Sequence, residues 1–188
     1  MSWQVMGLAD AAPNPWRNGG GVTRELAAWP ADGNWTWRIS VAEVAASGPF
    51  SRYEGVRRWF AVLDGNGVSL TMADTEHRLT RASAPFAFDG EVAVGCELID
   101  GPTQDLNLMV RRDRARARME RVQGVRQHAA GAGVALAIYA CEAPARVRDE
   151  GGSLEVPARS LAWRLVPADT QVEVTAAGAI WMEIEPCP

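Results

Sequence analysis

The chain contains no lysine, and all nineteen of its basic residues are arginine. A guanidinium is the better bidentate partner for a carboxylate, but complete loss of one basic residue follows codon usage as readily as function, so the absence excludes nothing. Histidine is also scarce, with only His77 and His128, 51 positions apart. A site that holds iron, manganese or nickel with three imidazoles and a carboxylate, starting from an H-x-H pair, needs more histidine than this. That ligand set is missing, no cofactor is expected, and both histidines are expected at the surface. The three cysteines, Cys96, Cys141 and Cys187, are odd in number, far apart and without a C-x-x-C pair, which argues against a zinc site and against a disulfide framework. No G-x-S-x-G elbow, P-loop or dinucleotide glycine pattern occurs. No apolar run approaches the ~18 residues that cross a bilayer. The first residues, MSWQVMGLADAAPNPW, lack the basic and apolar regions of a signal peptide, so the expected location is cytoplasmic, with no membrane partner.

What is present is a succession of short alternating segments separated by Gly, Pro, Asp and Asn. Strands are expected over 3–6, 21–29, 35–44, 57–65, 67–72, 76–80, 91–99, 105–112, 133–142, 153–157, 160–167, 171–175 and 179–185. Few stretches read as helix. Segments at this spacing mark a sandwich or barrel, and 188 residues hold one large β domain or two small barrels. Asp64-Gly65-Asn66-Gly67 supplies residues that tolerate positive φ, which predicts a hairpin across LDGNGVSL. The small residues of 127–134 predict a boundary, giving domains 1–126 and 127–188.

Charge is uneven. The net charge is −4, yet segment 111–126 carries seven arginines against Asp113 and Glu120, a local +5 that leaves −9 elsewhere. Arg112, Arg114, Arg116 and Arg118 recur at period two, which in a strand places them on one solvated face that resists edge-to-edge aggregation. Without interleaved aromatics the run is weak evidence for nucleic acid, which is not expected as a partner.

Within the strands two faces separate. Trp35, Trp37, Ile39 and Val41 alternate with Arg38 and Ser40; Thr23 and Glu25 oppose Val22, Arg24 and Leu26; Asp105, Asn107, Met109 and Arg111 oppose Leu106, Leu108 and Val110. In an open sheet the polar face looks at water. In a closed barrel it faces the lumen and forms a pocket.

The segment PWRNGGGVTRELAAWP at 15–30 is more specific. Three glycines after Trp16-Arg17-Asn18 permit close backbone approach and expose consecutive N–H donors, among them those of Gly19 and Gly20. Together with WRISVAEV at 37–44, SGPFSRYEGVRR at 47–58, FDG at 88–90 and DGPTQDLNLMVRR at 100–112, it resembles the HutD/Ves family over residues 3–112. The second half keeps only a cupin-like strand pattern. The resemblance implies an all-β, double cupin-like barrel (a bicupin jelly roll), an association with bacterial histidine catabolism for the HutD branch, and a stress-associated name for the Ves branch.

The residues then point to a small anionic partner, a carboxylate metabolite. Arg38, Arg58 and Arg111 each offer a fork of donors, Asn18, Ser40 and Asn107 add neutral hydrogen bonds, and Trp16 gives an apolar wall. The expected binding set is Trp16, Asn18, Gly19, Gly20, Thr23, Glu25, Arg38, Ser40, Arg58, Asp105, Asn107 and Arg111. Glu25 and Asp105 stand as the alternative partners of those arginines in internal ion pairs. They are also the candidates for a general base if the chain is a metal-independent isomerase or hydrolase instead. A binding role is favoured over catalysis because a carboxylate beside arginine is a poorer base near neutrality. A homodimer is a permitted assembly. The missing ligand set generates the first prediction: elemental analysis of purified protein finds far less than one equivalent of iron, manganese, nickel or zinc, and near one equivalent contradicts the reading.

Overall fold

The computed structural model describes residues 2–131 and 133–187. Among them the structure is all β, with seventeen strands and no helix, so no helix is long and apolar enough to cross a membrane. The chain divides into two compact units: residues 11–113 form one, and residues 1–10 with 114–188 form the other.

The unit 11–113 has a six-stranded and a four-stranded sheet. The first runs Pro13–Pro15, Gly21–Trp29, Trp37–Val44, Thr103–Arg111, Val56–Asp64, Phe86–Asp89, in order of pairing. The second runs Gly48–Pro49, Val94–Leu98, Val68–Met72, Thr75–Leu79. All pairings are antiparallel. Phe60, Val62 and Phe88 of the larger sheet pack with Val68, Leu70, Leu79, Val94 and Cys96 of the smaller, and this apolar cluster closes one part of the interior. The alternating pattern of Thr103–Arg111 puts Leu106, Leu108 and Val110 on the other face, where they are fully buried.

The unit formed by 1–10 and 114–188 is one seven-stranded sheet. Its long strands Ala115–Ala130 and Thr170–Pro186 pair along nearly their whole length, with a bulge between Val122 and Gly124. Its interior is apolar, from Leu136 and Ile138 through Val147, Val156, Val172 and Val174 to Trp181. Polar groups of this unit pair among themselves: Arg126 with Glu120, and His128 Nε2 with Oε1 of the buried Glu183 at 2.9 Å.

Three sequence expectations change. Asp64–Gly67 does not make a hairpin, because Val56–Asp64 and Val68–Met72 belong to different sheets; it is a corner between sheets. Its glycines are needed for that corner, since Gly67 has φ +111 and a Cβ there would lie 2.2 Å from the Leu79 carbonyl oxygen. The boundary at 126/127 falls inside the strand Ala115–Ala130, and the units meet in sequence at Asp10/Ala11 and Asp113/Arg114 instead. Within the expected boundary segment Ala132 lies outside the described residues. His128 is therefore not in a linker but within a strand, its side chain 18% exposed. The arginine run divides: Arg111 ends the strand Thr103–Arg111, Arg112 and Arg114 lie in the turn that follows, and only from Ala115 does it form an edge strand paired on one side to Thr170–Pro186, with Arg116 and Arg118 exposed on one face.

The corner gives a stability prediction. Gly67→Ala should lower the unfolding free energy by about 1–3 kcal/mol, from a strained backbone and a clash with a fixed carbonyl. Gly33→Ala, at φ +89 with open space around it, serves as the conformational control and should cost less. Urea denaturation of both variants tests the comparison, and equal costs would contradict it.

Candidate functional site

The register of the six-stranded sheet builds the site in rows. Arg38, Met109, Arg58 and Phe88 stand side by side across four strands, Ser40, Asn107, Phe60 and Phe86 form the next row, and Ala42, Asp105 and Val62 the row beyond. A row of this kind places side chains about 5 Å apart on one face. Beside them a cavity of about 570 Å³ opens in the unit 11–113. Its wall includes Trp16, Asn18, Thr23, Arg38, Ser40, Arg58 and Asn107, seven of the twelve expected residues. Gly19, Gly20, Glu25, Asp105 and Arg111 are not part of the wall.

Each departure has a physical reason. The Gly19 N–H donates to the Trp16 carbonyl at 3.0 Å and the Gly20 N–H to Asn18 Oδ1 at 3.0 Å, so these donors close the turn. The glycines are there for space and conformation: Gly19 has φ +71, and a Cβ on Gly21 would lie 2.4 Å from the Glu43 carbonyl oxygen and 3.1 Å from the Trp16 ring. The turn thereby holds Trp16 in the wall, with its Nε1–H donating to Thr23 Oγ1 at 2.8 Å. Glu25 sits at a bulge, where the register slips between Glu25 and Ala27, and its side chain is 54% exposed; bulges re-aim side chains in this way. Arg111 donates from Nε to the Trp35 carbonyl at 3.0 Å.

Asp105 is fully buried, deeper than the wall. Thr103 Oγ1 donates to its Oδ2 at 2.8 Å, while Oδ1 has no partner. Burial raises its pKa to about 7, against a smaller lowering by the Thr103 bond. Burial also pushes the nearby Cys96 thiol up to about 12, helped by Asp105 and Glu97.

Of the three arginines in the wall, Arg17, Arg38 and Arg58, the last two stand in one row of the sheet and carry the electrostatics. Arg58 is 6% exposed and has no carboxylate among its partners. Its Nη2 donates to Asn107 Oδ1 at 2.9 Å and its Nη1 to the Ser51 carbonyl at 3.4 Å, while Nε is buried without a partner. Three rings surround the guanidinium, with centroids at 5.0 Å for Phe88, 5.1 Å for Phe50 and 5.8 Å for Tyr53. Burial pulls its pKa down to about 10; Tyr53 opposes the shift and the Arg38 charge adds to it. Arg38 Nε lies 3.9 Å from Glu25 Oε2, beyond hydrogen-bond range, and is likewise buried without a hydrogen bond. No Asp or Glu lines the cavity. The arrangement is a pair of incompletely paired cations with neutral donors and acceptors between them, suited to an anion.

Several wall residues were not on the expected list: Asn14, Pro15, Arg17, Pro49, Phe50, Ser51, Tyr53, Phe60 and Met109. Phe50, Ser51 and Tyr53 lie in the SGPFSRYEGVRR motif, so the motif itself was the available signal. Met109 shares its face with Asn107, which strand alternation shows. Among the described residues no cluster of three or more His, Cys, Asp or Glu side chains is arranged to hold a metal.

The raised pKa of Asp105 sets a pH dependence of stability. Its folded value, about 7, exceeds the unfolded 3.8, so between those limits the unfolded state loses the proton first and stability falls as pH rises. The loss is fully developed above pH 7 and totals roughly 4 kcal/mol by linkage. Asp105→Asn keeps an acceptor for Thr103 and removes the titration. Its stability relative to the parent should therefore grow from pH 4 to pH 8 in urea titrations, and a pH-independent difference would contradict the assignment.

Comparison with known proteins agrees with this architecture. Residues 8–182 match the family model described as HutD. A 21.2 kDa protein from the hutC 3′ region of Pseudomonas putida is 36% identical over 123 residues, 64% of this chain and 65% of the relative. Protein Ves of Cronobacter sakazakii is 41% identical over 107 residues, 56% of this chain and 59% of its own length. The chain thus spans less than two thirds of the length of these curated relatives. The solved structure of HutD from Pseudomonas fluorescens SBW25 has a TM-score of 0.88 and 29% identity, with both chains covered completely. A salicylate 1,2-dioxygenase from Pseudoaminobacter salicylatoxidans, at 10% identity and a TM-score of 0.67 over 98% of this chain and 81% of its own, shares the cupin-like fold alone. With the family match running through nearly the whole chain, well past the motifs that suggested it, the protein belongs to the HutD family.

Proposed function

We propose that the protein binds a small anionic intermediate of histidine catabolism in the cavity of the unit 11–113 and thereby modulates the histidine-utilisation pathway, in the cytoplasm and without a metal. The observation that carries the reading is the buried Arg58, which faces a cavity with Arg38 and no carboxylate in its wall. A guanidinium out of water is costly unless an anion compensates it, and a ligand carboxylate is the compensation the wall does not provide. The hutC-region location of the Pseudomonas putida relative favours histidine breakdown as the source of that carboxylate. In the same reading the chain is a bicupin with unequal halves, one keeping a polar lumen for the ligand and the other filled with aliphatic side chains.

The catalytic alternative has less support. Asp105 and Glu25, its candidate bases, both stand outside the wall, and a general base has to reach the bound molecule directly or through one water.

Calorimetry with urocanate, N-formylglutamate and N-formiminoglutamate tests the proposal. At least one should give saturable heat. Arg58→Ala and Arg38→Ala should each weaken that binding by about 2–5 kcal/mol, the cost of breaking a desolvated charge pair. Glu25→Ala should preserve or tighten it, because Glu25 lies at 3.9 Å from Arg38 and competes with the ligand for the same cation. No saturable heat with any of the three, on protein shown to be folded, removes the proposal.

A further inference from the structure

Trp35 precedes the strand Trp37–Val44 and is not itself part of the cavity wall. Two guanidinium groups lie over its ring, that of Arg38 at 5.7 Å from the centroid and that of Arg111 at 5.2 Å. Arg111 is tied down twice more: its Nε donates to the Trp35 carbonyl at 3.0 Å, and its backbone N–H donates to the Thr36 carbonyl at 2.8 Å.

Arg38 has no comparable polar anchor. Its Nε is buried without a hydrogen bond, its Nη2 meets only the Met109 sulfur at 3.7 Å, and the nearest carboxylate oxygen is 3.9 Å away. An unanchored arginine loses much rotamer entropy when it is held in one place. Here the contacts that hold it are soft ones, an indole face and a thioether. A carboxylate in the same place would fix the group more strongly, but it would take up the N–H donors. Contact with a ring face leaves them free, because the attraction acts on the cation through the π system.

We infer that Trp35 is a positioning residue for anion recognition: its indole, braced by Arg111, holds the Arg38 guanidinium against the cavity while leaving its donors to the ligand. The inference rests on the anion-binding reading of the same cavity. It also gives Arg111 a role away from the ligand, as a support for the tryptophan.

Formate titrations followed by arginine Nε–Hε resonances test it. Trp35→Leu should weaken formate binding about three- to tenfold, the range of a partly buried cation–π contact, and Trp35→Phe should stay within about twofold of the parent. If Trp35 acts through Arg38, the Trp35→Leu effect should vanish in an Arg38→Gln background. The Arg38 resonance should also move in ligand-free Trp35→Leu, through loss of the ring current. Should Arg38→Gln bind formate too weakly to follow, that resonance decides. Unchanged affinity in Trp35→Leu, an equal loss in both backgrounds, or an unmoved Arg38 resonance overturns the inference. Failure of the parent protein to bind formate would count against the anion reading instead.

Discussion

A buried arginine without an acid is the constraint around which the unit 11–113 is organised. The fall in the Arg58 pKa to about 10 corresponds to roughly 3 kcal/mol against the charged form, at about 1.4 kcal/mol per unit. The fold offsets this with ring faces from Phe50, Tyr53 and Phe88 and with the Asn107 and Ser51 oxygens. An internal carboxylate would offset it more fully, and the wall contains none. What remains is an electrostatic demand facing a cavity, which an anion of the right size satisfies. Arg38, in contact with Trp35 and Met109, repeats the arrangement two strands away, across Thr103–Arg111.

The other unit shows the alternative solution within the same chain. Its interior from Leu136 to Trp181 is closed by aliphatic and aromatic packing. There Arg126 has Glu120, Arg164 has Asp149 and His128 has Glu183 as partners within the unit. An arginine that already has a carboxylate has little to gain from an external anion, because the ligand would have to displace that carboxylate. The same chain thus holds a packed unit and one with an open polar cavity, and the side chains on the inward faces decide between them.

Much of this was legible in the sequence because strand alternation is a strict code. Once Leu106, Leu108 and Val110 were placed on one face, Asp105, Asn107 and Met109 had to share the other, and the structure aligns that row with Arg38, Ser40 and Arg58. Gly21–Trp29 was readable to the residue. Alternation says which face a side chain occupies but not how deep it lies, so Asp105 is on the expected face yet below the wall. It is also blind to bulges, and the slip after Glu25 turned that carboxylate outward. Turn chemistry marked Asp64–Gly67 as a turn, while the pairing partner of Val68–Met72 depends on sheet assembly at a distance. The arginine run hid the strand Ala115–Ala130 because its solvated side chains mask the small and apolar residues Ala115, Met119 and Val122 beneath it.

The central claim is that the cavity of the unit 11–113 receives an anion at Arg58 and Arg38. The most direct test is a crystal soaked with bromoacetate and measured at the bromine absorption edge. The account predicts an anomalous peak inside the cavity, with the carboxylate within hydrogen-bond distance of Arg58 or Arg38. A cavity occupied only by water, at bromoacetate concentrations that label other arginines on the surface, would contradict it.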